Sequence, residues 1–180
     1  MPTIYLSPSL QEFNAYTGGG NEEYYMNLVA DAMEPYLTAS GIGFVRNNPE
    51  DSLTKTIANS NSGNYDLHLA LHSNASSADR AGSATGVQVY YYPTSTRGKR
   101  LADIITENYK DIYYNPSKVT AIPTTSLAEV RRTKAPSVLV ETAFHDNPTD
   151  AQWIRDNIDL IARNLSESVA QYLGVPFVAP

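Results

Sequence analysis

The strongest constraint on the fold is a regular alternation of strand-like and helix-like segments along the chain. Short β-rich or apolar runs fall at residues 3–6, 42–46, 66–72, 86–93 and 135–141. Apolar residues at helical spacing fall between and after them, at 22–40, 51–61, 95–113 and 149–173. Strands that alternate with helices form a mostly parallel sheet covered by helices. We therefore predict a single α/β domain over residues 1–175, with a twisted, mostly parallel sheet flanked by helices.

Composition excludes several classes of function. The formal net charge of -6 argues against a nucleic-acid partner, because such proteins neutralise phosphates with basic residues. The absence of cysteine excludes disulfides, thiolate metal sites and a cysteine nucleophile. No apolar run reaches membrane-spanning length, so membrane insertion is not expected. The N-terminal MPTIYLSPS lacks the regions of a signal peptide, which predicts synthesis in the cytoplasm. Residues 176–180 are interpreted as the start of a linker to a further C-terminal region.

Polar residues stand where three of the predicted strands end. His72 ends the strand DLHLALH, Glu141 ends the apolar run APSVLVE, and Gln11 and Glu12 follow TIYL. In parallel sheets, functional sites gather at the carboxyl ends of strands, so these side chains are expected to lie near one another. From the residues alone, His72 is either a metal ligand or a hydrogen-bonded core histidine. Glu141 is a cap for the next segment, a general base or a metal ligand.

Three stretches, taken together and in chain order, resemble one enzyme family. SLAEVRRTKAPSVLVETAFHDNP contains Pro-x-Val-Leu-Val-Glu followed by a Phe and an Asn-Pro, and DLHLALHSNAS is a strand ending in His-x-Asn. EYYMNLVADAMEPYL resembles a helix that follows a glutamate ligand, with an asparagine four residues after that glutamate. These features are similar to those of zinc-dependent N-acetylmuramoyl-L-alanine amidases, the peptidoglycan amidases of autolysins and phage endolysins.

The resemblance implies a set of roles. Glu23 and His72 would be zinc ligands, and Glu141 would be the catalytic carboxylate. The substrate would be bacterial cell-wall peptidoglycan, cleaved at the amide between N-acetylmuramic acid and the L-alanine of the stem peptide. Asn74 would orient the substrate or cap its loop, and Arg131 would meet a stem-peptide carboxylate or stay solvated. The further C-terminal region would bind the cell wall.

The chain departs from the family at the first ligand. The family begins with Asp-Pro-Gly-His-Gly-Gly, whose histidine binds zinc, whereas this chain has LSPSLQEFN with Leu10 at the ligand position. Three explanations remain open. Gln11, or else Glu12, supplies an oxygen; His145 supplies a nitrogen from elsewhere; or the metal has been lost.

Two rival functions remain, and the first would explain that departure directly. One is a metal-free peptidoglycan-binding module on the same fold, and the other is a metallopeptidase that cuts within the stem peptide. Two more residues near the motifs are given structural roles. We expect His68 to be a hydrogen-bonded interior histidine and Glu22 to be a solvated residue in the first turn of its helix.

Overall fold

The computed structural model describes residues 1–180 and contains one six-stranded sheet in the order β2-β1-β3-β6-β4-β5. The strands are β1 (Thr3–Pro8), β2 (Gly43–Arg46), β3 (Leu67–Asn74), β4 (Val87–Tyr91), β5 (Val119–Pro123) and β6 (Ser137–Phe144). All neighbouring pairs are parallel except β4 and β6, which are antiparallel. The predicted single α/β domain with a mostly parallel sheet is confirmed, while β5 was not predicted.

Helices cover the sheet. They are α1 (Glu22–Ala39), α2 (Leu53–Ser62), α3 (Thr96–Lys110), α4 (Ala128–Arg132), α5 (Pro148–Asp156) and α6 (Ile158–Leu173). The single helix predicted over 149–173 is wrong, because the chain leaves helical geometry at Asn157, whose φ is -127°. The Asn157 side chain donates to the carbonyl of Trp153, a local bond that competes with continued helix. α1 contains Pro35 and continues past it to Ala39. No helix combines the length and apolar character needed to cross a membrane.

The two faces of the sheet bury different side chains because successive strand residues point to opposite sides. On β3, Leu67, Leu69 and Leu71 join the large hydrophobic core beneath α1, α3 and α6. Ala70 belongs instead to a small cluster with Val130 of α4 and Leu139 of β6. His68 and His72, two residues to either side of Ala70 on the same strand, therefore lie on the face that carries α4.

The antiparallel direction of β4 determines the course of the connection before it. Residues 75–86 leave the carboxyl end of β3 and enter β4 at the same edge of the sheet, where Gln88 pairs with Glu141. The carboxylate of Asp146 fixes this segment by accepting hydrogen bonds from the backbone N–H groups of Ser76 (3.1 Å) and Gly82 (2.7 Å). The segment is thus an ordered loop held against the edge that bears the strand ends.

Candidate active site

The candidate site is centred on His72, near the carboxyl end of β3. Its side chain is 11% exposed and lies beside Glu141 of β6, its register partner across the parallel pair. His72 shares a face with Ala70, whereas the next residue, Ser73, points to the opposite face. The register shifts between His72 and Asn74, so regular pairing is interrupted immediately after the histidine.

The Nδ1 side of His72 meets a buried carboxylate. Oε1 of Glu22 lies 2.8 Å from His72 Nδ1, and Nε2 of Gln11 lies 3.3 Å from the same nitrogen. Asn14 donates from Nδ2 to Glu22 Oε2 (2.6 Å) and to Gln11 Oε1 (3.0 Å). Burial alone would raise the pKa of Glu22, but hydrogen bonds from His72, Asn14 and Ser9 hold it below its usual value. Glu22 is therefore an ionised carboxylate aimed at the histidine ring.

The structure brings Glu22, and not the expected Glu23, to the site. Glu22 is 1% exposed, so its predicted role as a solvated first-turn residue is wrong. The reason is the rotation of the helix: Glu22 is four residues before Met26 and seven before Val29, on the stripe that α1 buries. Glu23 is turned about 100° away along the same helix and its carboxylate has no partner at the site.

The Nε2 side of His72 meets a second buried carboxylate, which belongs to Glu129 of α4. Glu129 Oε2 lies 3.3 Å from His72 Nε2, and the residue is 5% exposed. Burial would raise the pKa of Glu129, but hydrogen bonds from His68 and His72 hold it far below its usual value. Burial likewise opposes the charge on His72, yet Glu129 and Glu22 raise its pKa well above the ordinary value. Without a metal, the two carboxylates therefore favour the protonated form of His72.

His68 is an interior, hydrogen-bonded histidine, as predicted. It is fully buried, with Nδ1 2.9 Å from Ser60 Oγ and Nε2 3.0 Å from Glu129 Oε1. Its ring stacks on Tyr5 at a centroid distance of 5.3 Å. His68 and His72 face the same side of β3, and Glu129 joins them.

Glu141 differs from the other two carboxylates. Its Oε2 atom is buried and has no hydrogen-bond partner. Burial raises the pKa of Glu141 to about 7; the charge of Glu22 adds to the increase, and that of His72 opposes it. A carboxyl group with that pKa exchanges protons readily near neutral pH, as a general acid–base group must.

These groups open onto a cavity of about 520 Å³. Its polar wall includes His72, Glu129 and Glu141, and its apolar wall consists of side chains from the β1–α1 loop, α2, the residue before α4, and β6. Those apolar residues are Leu10, Phe13, Leu53, Leu127 and Leu139. Phe13 is 77% exposed, so an aromatic ring stands free at the mouth of the cavity. A mixed apolar and ionisable cleft of this volume can hold part of a polymeric substrate.

Two of the candidate metal ligands lie away from His72. Glu12 is exposed, and its side chain makes no hydrogen bond or ion pair. His145 is buried on the opposite face of the sheet, where its Nδ1 lies 3.1 Å from Ser73 Oγ and its ring stacks on Tyr16. The alternation of side chains along β3 keeps Ser73, and hence His145, apart from His72.

The two predicted substrate-binding residues have different positions. Asn74 lies at the end of β3 and donates from Nδ2 to Gln88 Oε1 at 2.8 Å, so it borders the same edge as Glu141. Arg131 is exposed and lines a separate depression with Thr133 and Lys134. The structure therefore keeps Asn74 near the site and does not bring Arg131 to the cavity.

The donor set near Nδ1 fits a metal ion, with an amide in place of a third strong ligand. Zinc ligands lie about 2.0–2.2 Å from the ion, so two donors on one ion are roughly 3.4 Å apart. His72 Nδ1 is 2.8 Å from Glu22 Oε1, a hydrogen-bond distance shorter than that spacing, and 3.3 Å from Gln11 Nε2, so Glu22 would have to withdraw slightly to share an ion with the ring. No three histidine, aspartate or glutamate side chains converge closely enough to hold an ion themselves. Gln11 would have to turn its amide over to present oxygen, because Asn14 now occupies that oxygen.

Sequence reasoning missed Glu129 and Asn14. Glu129 lies inside the stretch that resembles the family, but the one-turn helix α4 is too short for periodicity to reveal which side chain it buries. Its partners His68 and His72 are 61 and 57 residues away along the chain, so only the assembled sheet shows the contact. Asn14 lies in the loop before α1, where no periodic pattern exists.

Comparisons with known proteins agree with this architecture. The N-acetylmuramoyl-L-alanine amidase LytC of Bacillus subtilis (strain 168) is 29% identical over 179 residues, which cover 94% of this chain and 35% of LytC. The chain thus spans about a third of that relative. A crystal structure of the N-acetylmuramoyl-L-alanine amidase from Clostridium difficile 630 superposes with a TM-score of 0.81 at 21% identity, covering 96% of this chain and 97% of that one. The CwlD amidase from Clostridioides difficile, solved in complex with the GerS lipoprotein, gives a TM-score of 0.84 at 16% identity, covering 97% and 99%.

At such identities the two structures establish the fold. The family model for N-acetylmuramoyl-L-alanine amidases matches residues 11–171, which include Glu22, His72, Glu129 and Glu141. Because that match spans most of the 180 residues, the chain belongs to the N-acetylmuramoyl-L-alanine amidase family.

Proposed function

We propose that this chain is the catalytic domain of a peptidoglycan hydrolase. It cleaves the amide between the lactyl group of N-acetylmuramic acid and the L-alanine of the stem peptide, with zinc as cofactor. One observation carries the proposal within this family: Glu141, with an unpartnered buried oxygen and a pKa of about 7, adjoins His72 in a cavity of about 520 Å³. The bacterial cell wall is therefore where it acts.

The reaction requires two proton transfers. Glu141 in its ionised form takes a proton from the attacking water and then gives it to the leaving amine, which departs poorly unless protonated. Its raised pKa makes both the ionised and the protonated forms accessible near neutral pH. Zinc, when bound, polarises the scissile carbonyl and lowers the pKa of its water to about 7.

The residues that would hold zinc are Glu22, His72 and Gln11. Glu22 takes the place that the sequence comparison gave to Glu23, because α1 buries Glu22 against His72. The amide of Gln11 stands where the family has an imidazole. A neutral amide oxygen is a weaker zinc donor than imidazole, so we expect the ion to be more easily removed by chelators than from a site with that histidine.

The cavity wall suits a substrate that is part sugar and part peptide. Phe13, with its exposed ring, and Leu53 give the cavity apolar surface. Asn74 and Gln88, hydrogen-bonded to each other, lie outside the cavity lining, at the same sheet edge as Glu141. Aromatic rings and amides are the groups that bind sugars and peptide backbones in clefts.

The direct test is digestion of purified peptidoglycan by the purified chain with added zinc, followed by mass spectrometry. The expected products are stem peptides with a free N-terminal L-alanine and glycan strands that keep their lactyl groups. A cut within the stem would instead identify a metallopeptidase. Glu141→Gln should release peptides at least about 100-fold more slowly, and Glu167→Gln, the same change on an exposed position of α6, should digest normally.

A metal-free binding module is the second candidate, and one observation favours it. Both ring nitrogens of His72 already face carboxylates, and no third histidine or acidic side chain completes the donor set. Such a module would sediment with peptidoglycan but create no new termini. Protein purified without chelators can be tested by elemental analysis. A binding module would contain no stoichiometric metal, whereas the amidase proposal predicts one zinc per chain.

A further inference from the structure

Glu129 is a carboxylate buried on a five-residue surface helix, which is a costly placement unless the group is partnered. It is 5% exposed, although its neighbours Arg131 and Arg132 face solvent. Removing an ionised carboxylate from water requires hydrogen bonds or opposite charges in compensation. The partners of Glu129 should therefore reveal what the group does.

Both oxygens of Glu129 are occupied. Oε1 accepts from Ser7 Oγ (2.5 Å) and faces His68 Nε2 (3.0 Å), while Oε2 faces His72 Nε2 (3.3 Å). An ionised carboxylate only accepts hydrogen bonds. Each of the two histidines must therefore carry a proton on Nε2. By the same rule, Glu22 Oε1, which lies 2.8 Å from Nδ1, accepts a second proton of His72 when no metal is bound. A metal would displace that Nδ1 proton and leave the Nε2 proton directed at Glu129.

We propose that Glu129 is a positioning residue that holds the Nε2–H of His72, so that the ring keeps one orientation and presents Nδ1 to Glu22 and to a metal. This proposal concerns a residue that neither the family resemblance nor the predicted ligand set includes. The part that concerns metal rests on the proposed function; the part that concerns the ring and its proton does not. Histidine ligands commonly donate their other N–H to a carboxylate in this way, which fixes the ring and increases its basicity.

His68 and Ser7 form the support of Glu129. Ser7 belongs to β1 and His68 to β3, so the carboxylate of α4 is held from two adjacent strands. His68 is fixed in turn by Ser60 of α2 at 2.9 Å and by stacking on Tyr5. Because the anchors belong to the buried sheet, Glu129 can hold His72 more firmly than a side chain on a short helix could hold it alone.

Two other roles for Glu129 predict different behaviour. As a substrate-binding group at the cavity wall, it would affect KM with kcat unchanged. As a purely structural ion pair, it would affect the melting temperature without affecting zinc affinity or the His72 proton. A positioning residue affects zinc affinity and kcat together and leaves KM nearly constant.

The experiment compares Glu129→Gln with the wild type, with Glu167→Gln as the matched exposed control. In the metal-free proteins, NMR should show a slowly exchanging Nε2 proton on His72 in the wild type and control, and a rapidly exchanging one in Glu129→Gln. Chelator competition should show zinc affinity reduced about 10- to 100-fold, and kcat should fall by a similar factor. If Glu129→Gln left both the exchange rate of the His72 Nε2 proton and the zinc affinity unchanged, the proposal would be overturned. A change confined to KM would overturn it as well.

A second variant keeps the test decisive if Glu129→Gln does not fold. His68→Gln removes one support of Glu129 while leaving Glu129 and His72 in place, and it should speed exchange of the His72 proton and weaken zinc several-fold. Normal exchange and affinity in a folded His68→Gln protein would contradict the support we assign. Should the wild type bind no zinc and release no peptides, the proposed function fails, whereas the NMR comparison still tests Glu129.

Discussion

Two carboxylates approach the same histidine ring from different elements, and their surroundings are opposite. Glu129 of α4 has both oxygens occupied and a pKa held below its usual range, whereas Glu141 of β6 has an unpartnered buried oxygen and a pKa raised to about 7. Both belong to the wall of one cavity. Burial alone does not decide whether these carboxylates are ionised, because hydrogen-bond donors surround Glu129 and not Glu141.

The difference separates two tasks. A carboxylate that stays ionised and fully bonded can fix a neighbouring group, whereas one that titrates near neutral pH can transfer a proton. Pairs of ionisable groups whose environments move their pKa values apart are a general sign of an acid–base assignment. Under the two proposals above, Glu129 positions His72 and Glu141 transfers the proton.

The largest expected effect is on turnover. Glu141→Gln should lower kcat by about 10²- to 10⁴-fold, because it removes the proton-transfer group while preserving its shape. Zinc content should be unchanged. Glu129→Gln should lower kcat less, by at most about 100-fold. The ratio of the two losses measures the division of tasks, and a larger loss in Glu129→Gln than in Glu141→Gln would reverse the assignment.

Removing the imidazole of His72 should abolish the metal site. His72→Ala is expected to bind no stoichiometric zinc, measured by elemental analysis after dialysis. His68→Ala is the matched comparison, since it removes a histidine from the same face of β3 but leaves Glu22 and His72 in place. It should still bind zinc, more weakly and with reduced stability. Stoichiometric zinc in His72→Ala and none in His68→Ala would mean that the wrong histidine has been assigned.

The variants Glu141→Gln and Glu129→Gln should have opposite effects on the stability of the metal-free protein. The folded pKa of Glu141, about 7, lies above its ordinary value of 4.5, so its contribution to stability is fully present below about pH 4.5 and is lost as the pH rises through 7. Glu141→Gln should avoid that loss and be more stable at pH 8 by at most roughly 3 kcal/mol.

Glu129→Gln should be less stable at pH 8 by about 1–3 kcal/mol, because one oxygen becomes a donor that faces a histidine N–H. Urea unfolding of both variants at pH 4 and pH 8 measures the contrast. The stabilisation by Glu141→Gln should nearly vanish at pH 4. If both Glu141→Gln and Glu129→Gln destabilised the protein at pH 8, Glu141 would be better solvated or better partnered than its unbonded oxygen indicates.

The smallest effect concerns the Nδ1 side of the ring. Gln11→His should tighten zinc by about tenfold, about 1.4 kcal/mol, because an imidazole replaces an amide. Gln11→Ala should weaken it, and Glu12→Ala, at the exposed neighbour, should leave it unchanged. Chelator competition on the three variants shows whether the metal side of His72 depends on Gln11. If only Glu12→Ala lost zinc, Glu12 and not Gln11 would be the third ligand.

The sheet was predictable from the sequence because strand and helix periodicities reflect burial, which local patterns record. The same logic would have favoured Glu22 over Glu23, since Glu22 continues the stripe of Met26 and Val29. Identification of Glu129 needed the strand pairing that brings α4 onto β3 and β1, a contact between residues more than 50 positions apart. The break at Asn157 was missed because a side-chain hydrogen bond to the backbone leaves no trace in the apolar periodicity.

The loop of residues 75–86 has a consequence for how such a domain can diversify. Because β4 runs antiparallel to β6, the loop leaves the sheet and re-enters it on one edge, beside Asn74 and Gln88. Its two ends are fixed by strand register, and Asp146 anchors its middle from outside the loop. Insertions or exchanges within it can therefore alter the depression that the loop lines with Gln88 and Phe144, beyond Glu141, without shifting any strand. Under the proposed function, this loop is the segment to randomise when a different stem peptide is to be accepted.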